Sequence, residues 1–181
     1  MARISYPEGA DDTLDDALLR MLEKVSRRLP LPIFLAAALI AWLASHPHWP
    51  RPAVLVWVTA VAALLVLRRW ALARLPAMGT IPARRRLQWA AMLNGGNGVA
   101  HSAGLLFFSH DAALPLSIAS LLLVGLCAGS VATTSGSRPL FLAYCIPVMG
   151  ALVLHWLLMA AAPGPHPFAL AIALILALFA A

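Results

Sequence analysis

The sequence predicts an all-α fold, a polytopic membrane helix bundle of about six transmembrane helices behind an N-terminal amphipathic helix. Three observations predict it. Of the 181 residues, 62% are hydrophobic and only 11% charged, with a mean hydropathy of +0.86. Water-soluble domains run at roughly 45–50% apolar, and a surface this poor in charge does not suit water. The apolar residues also come in stretches of membrane-crossing scale, separated by Pro/Gly turns or arginine runs. Finally, the basic residues sit at the ends of those stretches, so the net charge of +6 reads as topology control, and nucleic acid is not expected as a partner.

Residues 1–11 are polar, with Pro7 and Gly9, and are expected to be disordered. Glu8, Asp11, Asp12, Asp15 and Asp16 stand where a signal peptide needs a basic start and an apolar core. From Asp12 to Leu29 a helical period places Leu14, Leu18, Met21, Leu22, Val25 and Leu29 on one face. Asp11 or Asp12 can cap this helix, and Arg20, Lys24, Arg27 and Arg28 load its end. It is expected to lie on the inner membrane surface, basic end against anionic lipid. Residues 1–28 thus form a cytoplasmic segment and 29–181 a membrane module.

The first span runs from about Leu29 to Ser45, with Pro30 and Pro32 in its first turn, where proline is tolerated. His46 to Pro52 forms a stiff turn, and a short second span covers about Ala53 to Leu67, which Arg68 and Arg69 can extend by snorkelling. Residues 68–86 are read as a loop holding six arginines. The third span is Leu87 to Phe108, followed by a turn at His110 and Asp111. The fourth is Ala112 to Thr134, the fifth Leu140 to Ala162 with Pro147 as an expected kink. A sixth begins near Phe168 and is still apolar at Ala181, from which a longer parent chain is expected. With the N-terminus inside, twelve of the thirteen Lys and Arg residues fall on the cytoplasmic side and only Arg51 outside.

The third span, LQWAAMLNGGNGVAHSAGLLFF, is apolar at both ends and polar in the middle. Polar groups in hydrocarbon are costly unless satisfied, so this helix is expected to face the others. Asn94, Asn97 and His101 recur at i, i+3 and i+7 and share one face. They are the candidate signal-sensing residues: a pocket for a small molecule, or a site where protonation changes helix packing. The alternative is plain interhelical hydrogen bonding, worth about 0.6 kcal/mol each. Gly95, Gly98 and Ser102 form a neighbouring face suited to close helix contact. In the fourth span, Gly125 and Gly129 are four apart, and the same reasoning expects them buried against another helix.

Cys127 and Cys145 lie inside apolar stretches and read as packing residues. No Cys/His ligand spacing, nucleophile with a base, carboxylate pair or phosphate loop is present in the sequence, so no metal, cofactor or catalytic residue is expected here. The expected spans contain no Asp, Glu, Lys or Arg, which counts against an ion-coupled transporter.

The run GLCAGSVATTSGSRPLFLAYCIPVMGALVLHW, Gly125 to Trp156, resembles the N-terminal membrane module of bacterial hybrid sensor histidine kinases and of some diguanylate cyclases. Gly125, Ala128, Gly129, Pro139, Tyr144 and Pro147 carry the likeness, with the arginine-rich second loop and the Gly-rich third helix. NGGNGVAH departs from it, since such modules usually show Gly, Leu and Trp there. The resemblance implies an inner-membrane sensory input domain joined beyond Ala181 to a coiled coil and a kinase domain. ATP and Mg²⁺, a homodimer and a response regulator would belong to that missing part. A cyclase output, a small transporter or channel, and a simple membrane anchor are the competing readings.

Overall fold

The computed structural model describes residues 10–26, 30–44, 51–108, 113–134, 137–162 and 168–180. Seven α-helices account for most of them: α1 (Ala10–Ser26), α2 (Pro30–Ala44), α3 (Arg51–Arg74), α4 (Ala83–Ser102), α5 (Ala113–Thr133), α6 (Arg138–Ala161) and α7 (Ala169–Ala180). Short 3₁₀ turns, Leu75–Ala77 and Ala103–Phe107, follow α3 and α4. The expected turns around 46–50, 109–111 and 163–167, the histidines within them, and residues 1–9 lie outside the described residues.

Three segments are long and apolar enough to cross a membrane: Pro52–Ala77, Ala113–Val131 and Arg138–Ala161. Two shorter apolar helices cover Leu31–Ala44 and Ala169–Leu178. The chain's polarity is arranged as hydrocarbon demands. Trp42, Leu55, Val56, Met92, Leu121 and Leu178 are exposed, while Asn94, Asn97, His101, Ser120 and Ser130 are buried. In water that outer surface would forgo about 25 cal/mol for each Å² of apolar area left uncovered.

The contacts fix the running direction of each helix. Asn94 pairs with Leu140, Gly95 lies against Ala143, and Gly98 against Tyr144 and Pro147, so α4 and α6 run parallel. Trp57 meets Ala100 at one end, and Arg86 meets Leu75 at the other, so α3 runs against α4. On α5, Ser120 bonds Trp156 and Cys127 faces Cys145, so α5 runs against α6. Ile40 and Trp57 both touch Gly104, while Pro32 and Arg68 line one cleft nearer the other end, which sets α2 against α3. Through α2 to α6, direction alternates at every step. The described basic residues of α1, of α4, of α6 and of the C-terminal part of α3 gather at one end, and Arg51 begins α3 at the other.

Two expectations need correction. The 68–86 loop begins later than expected: α3 continues through Arg68 and Arg69 to Arg74, the exposed Arg69 able to extend its head while the Nε of Arg68 is buried against the bundle. An acid of α1 beyond its first turn also holds this helix to the bundle. Asp16 accepts a 2.6 Å ion-paired bond from Arg86, which also donates to the Ile81 and Leu75 carbonyls. Leu19 and Leu22 are buried with Leu72, Leu75, Ala90 and Leu140, so part of the amphipathic face packs on protein, while Met21 remains exposed.

α4 approaches α6 closely. A Cβ added at Gly98 would stand 2.5 Å from the Tyr144 carbonyl oxygen and 2.8 Å from Pro147 Cγ. Gly98→Ala should therefore lower the thermal midpoint in detergent, overpacking costing about 1–3 kcal/mol. Gly129→Leu should melt with the wild type, since its Cβ meets nothing within 4 Å. Equal melting of Gly98→Ala and wild type would contradict this packing.

Candidate functional site: a polar interior between α4 and α6

The three expected stripe residues are together and inside: Asn94 is 4% exposed, Asn97 2% and His101 0%. One α4 face places all three because 3.6 residues per turn returns i, i+3 and i+7 to the same side. Asn94 Nδ2 donates to the Leu140 carbonyl at 2.9 Å, tying mid-α4 to the first turn of α6. Pro147 has no N–H to give the Ala143 carbonyl one turn earlier. That oxygen faces α4, 3.3 Å from where a Gly95 Cβ would be. Pro147 lies within α6, which continues through it.

Further along α4, hydrogen bonding is incomplete. His101 Nδ1 lies 2.7 Å from the Asn97 carbonyl oxygen. A carbonyl only accepts, so in the neutral ring Nδ1 carries the proton and Nε2 presents a lone pair. Among the described residues that Nε2 has no hydrogen-bond partner, nor do the Asn97 amide oxygen and nitrogen or the Tyr144 hydroxyl. The Tyr144 ring stands edge-to-face on His101 with centroids 6.0 Å apart. Each buried group left in this condition costs about 1–3 kcal/mol, and native interiors satisfy the great majority. These atoms are suited to a polar partner that the described residues do not supply.

On the side of the basic end, Tyr144 also lines a cleft of about 240 Å³. Its walls are Pro32 and Ile33 of α2, Arg68 of α3, Asn94 of α4, Gly125, Leu126, Gly129 and Ser130 of α5, and Tyr144 of α6. The expectation for Gly125 and Gly129 is thereby overturned. Both are exposed, and a Cβ on either would meet nothing within 4 Å. The small residues leave a gap instead of closing one. The contact expected of Gly98 is present, as described, and Ser102 is buried with its hydroxyl donating to Val99 O.

Family models, curated proteins and solved structures were all compared with the chain, and none matches.

Sequence reasoning missed Arg68. Taken as a loop residue that sets topology, it stands on α3 with its Nε buried and without a hydrogen-bond partner among the described residues. Its signal was present in the sequence: an arginine directly continuing an apolar helix, six residues before that helix ends. At the opposite end, Trp57 Nε1 donates to the Ala100 carbonyl at 2.7 Å, and Gly104 lets the indole approach α4. His155 is half-buried on α6, about 16 Å along the axis from Tyr144. Cys127 and Cys145 are both free thiols and buried. Among the described residues no three His, Cys, Asp or Glu side chains are grouped to hold a metal.

Proposed function

We propose that the chain is the membrane-embedded sensory input domain of a bacterial two-component signalling protein in the inner membrane. It crosses the bilayer six times, α2 to α7, with both termini cytoplasmic and α1 against the cytoplasmic face. The observation that carries the sensory reading is the set of buried, unpartnered polar atoms on Asn97, His101 and Tyr144. A signal that supplies their missing partner binds one packing of α4 on α6 better than another, which is what a switch requires. The alternating helix directions and the basic residues gathered at one end support the six-span topology and its orientation. The kinase output, with its ATP and Mg²⁺, homodimer and response regulator, rests on the resemblance alone, as does the alternative cyclase output. A small transporter or channel is the second reading. Arg68 favours it, being an ionisable group on a span; it predicts solute flux in vesicles, which the sensory reading does not.

The topology is checked by single-cysteine labelling in a background without Cys127 and Cys145. A cysteine at Ala77 should react only from the cytoplasmic side and one at Ala113 only from outside; the reverse pattern contradicts the orientation.

The sensory role is checked on the whole gene product in membranes. His101→Gln should leave the protein folded, because the amide can still hydrogen-bond, yet shift autophosphorylation, or cyclic-dinucleotide synthesis if the output is a cyclase. Output identical to the wild type across about pH 5–8, where histidine ordinarily titrates, would leave the stripe as structural hydrogen bonding only.

A further inference from the structure

The cleft at Arg68 differs from the polar interior beside it in one respect: it is open along a face that suits lipid. Leu114, Leu121 and Gly125 make one exposed stripe on α5, and Leu114 and Leu121 are each 73% exposed. Gly125 and Gly129 are where that stripe dips into the cleft. A molecule entering here comes from the bilayer.

The depth suits a headgroup. The 24 residues of α3 span about 36 Å, more than a hydrocarbon core of about 30 Å. Arg68 lies about 9 Å from the C-terminal end of α3, and Tyr144 about 9 Å from the start of α6. Both therefore sit near the edge of the hydrocarbon at the basic end. Arg68 brings a permanent positive charge with a buried Nε that has no partner among the described residues. Tyr144 is 7% exposed and brings a hydroxyl without a partner among the described residues. At about 240 Å³ the cleft is smaller than the roughly 300–1,000 Å³ of drug-sized sites. It takes one polar group and a few methylenes, not a whole cofactor.

We propose that this cleft holds one anionic phospholipid, its phosphate against Arg68 and Tyr144 and the first carbons of an acyl chain over Gly125 and Gly129. The guanidinium supplies charge-assisted donors to phosphate oxygens, and the glycines keep the acyl path open. The inference shares Tyr144 with the sensory reading but is tested apart from it, since lipid retention is measured without any output.

Native mass spectrometry of the whole protein tests it, after reconstitution in equal amounts of phosphatidylglycerol and phosphatidylcholine and release into mild detergent. The wild type should retain one phosphatidylglycerol in preference to phosphatidylcholine. Arg68→Gln should weaken that retention about tenfold, the scale of a lost charged hydrogen bond. Arg69→Gln, at an exposed neighbour on the same helix, should keep it. Gly129→Leu decides the matter independently of the charge: it should keep the wild-type melting temperature, fill the cleft and lose the lipid. Retention unchanged in Arg68→Gln or in Gly129→Leu overturns the proposal. So does displacement of the lipid by inorganic phosphate alone, which would make the site one for a free oxyanion.

Discussion

Asn94 reaches from the middle of α4 to the first turn of α6 and donates to the Leu140 carbonyl at 2.9 Å. Asn94 is buried, so such an amide cannot fall back on water and its partner must come from protein. That constraint places α4 inside the bundle, although α4 is not among the segments long and apolar enough to cross a membrane. The remaining helices are then arranged to cover it. Gly98 lets the α6 backbone come within reach, and Gly104 does the same for Trp57 and Ile40. Alternating direction through α2 to α6 brings the ends of α3, α4 and α6 together, where Leu19 and Leu22 of α1 pack against them. Arg86 holds α1 there by its ion pair with Asp16.

The contact is closely fitted at one level and chemically incomplete at the next. At Gly98 the two backbones leave no room for a methyl group. One turn on, Asn97 and His101 satisfy only the bond between Asn97 O and His101 Nδ1, and Tyr144 faces the pair with an unused hydroxyl. A rigid seam beside unfilled hydrogen-bonding capacity is a place where a small chemical event can change the relation of two helices. Tyr144 belongs both to this interior and to the Arg68 cleft. Occupancy of the one is therefore positioned to affect the other through a single side chain.

The helices were legible because hydropathy reports them directly, and the bounds of α2, α5 and α6 lie within about two residues of the expected spans, inside the usual scatter of helix ends. The buried stripe was legible because three polar residues at i, i+3 and i+7 in an apolar stretch leave one arrangement that hydrocarbon tolerates. The end of α3 was not: an arginine pair marks a membrane edge equally well whether the helix stops there or continues. Nor was the face of α5 that turns inward. An apolar helix carries no amphipathic signal to distinguish its sides, so small residues four apart fit a contact or a cleft. Asp16 and Arg86 are 70 residues apart, and nothing local pairs them. Tyr144 stood out in the sequence only through a resemblance, since its partners come from α3 and α4.

The claim that α4 is held to α6 by a buried amide is open to one direct measurement. The chain contains two asparagines, Asn94 and Asn97. With the asparagine side-chain amides labelled with ¹⁵N and the leucine carbonyls with ¹³C, solid-state NMR in bilayers reads the dipolar coupling between them. The structure predicts a strong coupling to a leucine carbonyl for one side-chain amide, that of Asn94, and none of that strength for Asn97, whose amide nitrogen has no partner among the described residues. Two amides with equally weak coupling would mean that Asn94 does not hold Leu140, and the arrangement of helices around α4 would have to be given up.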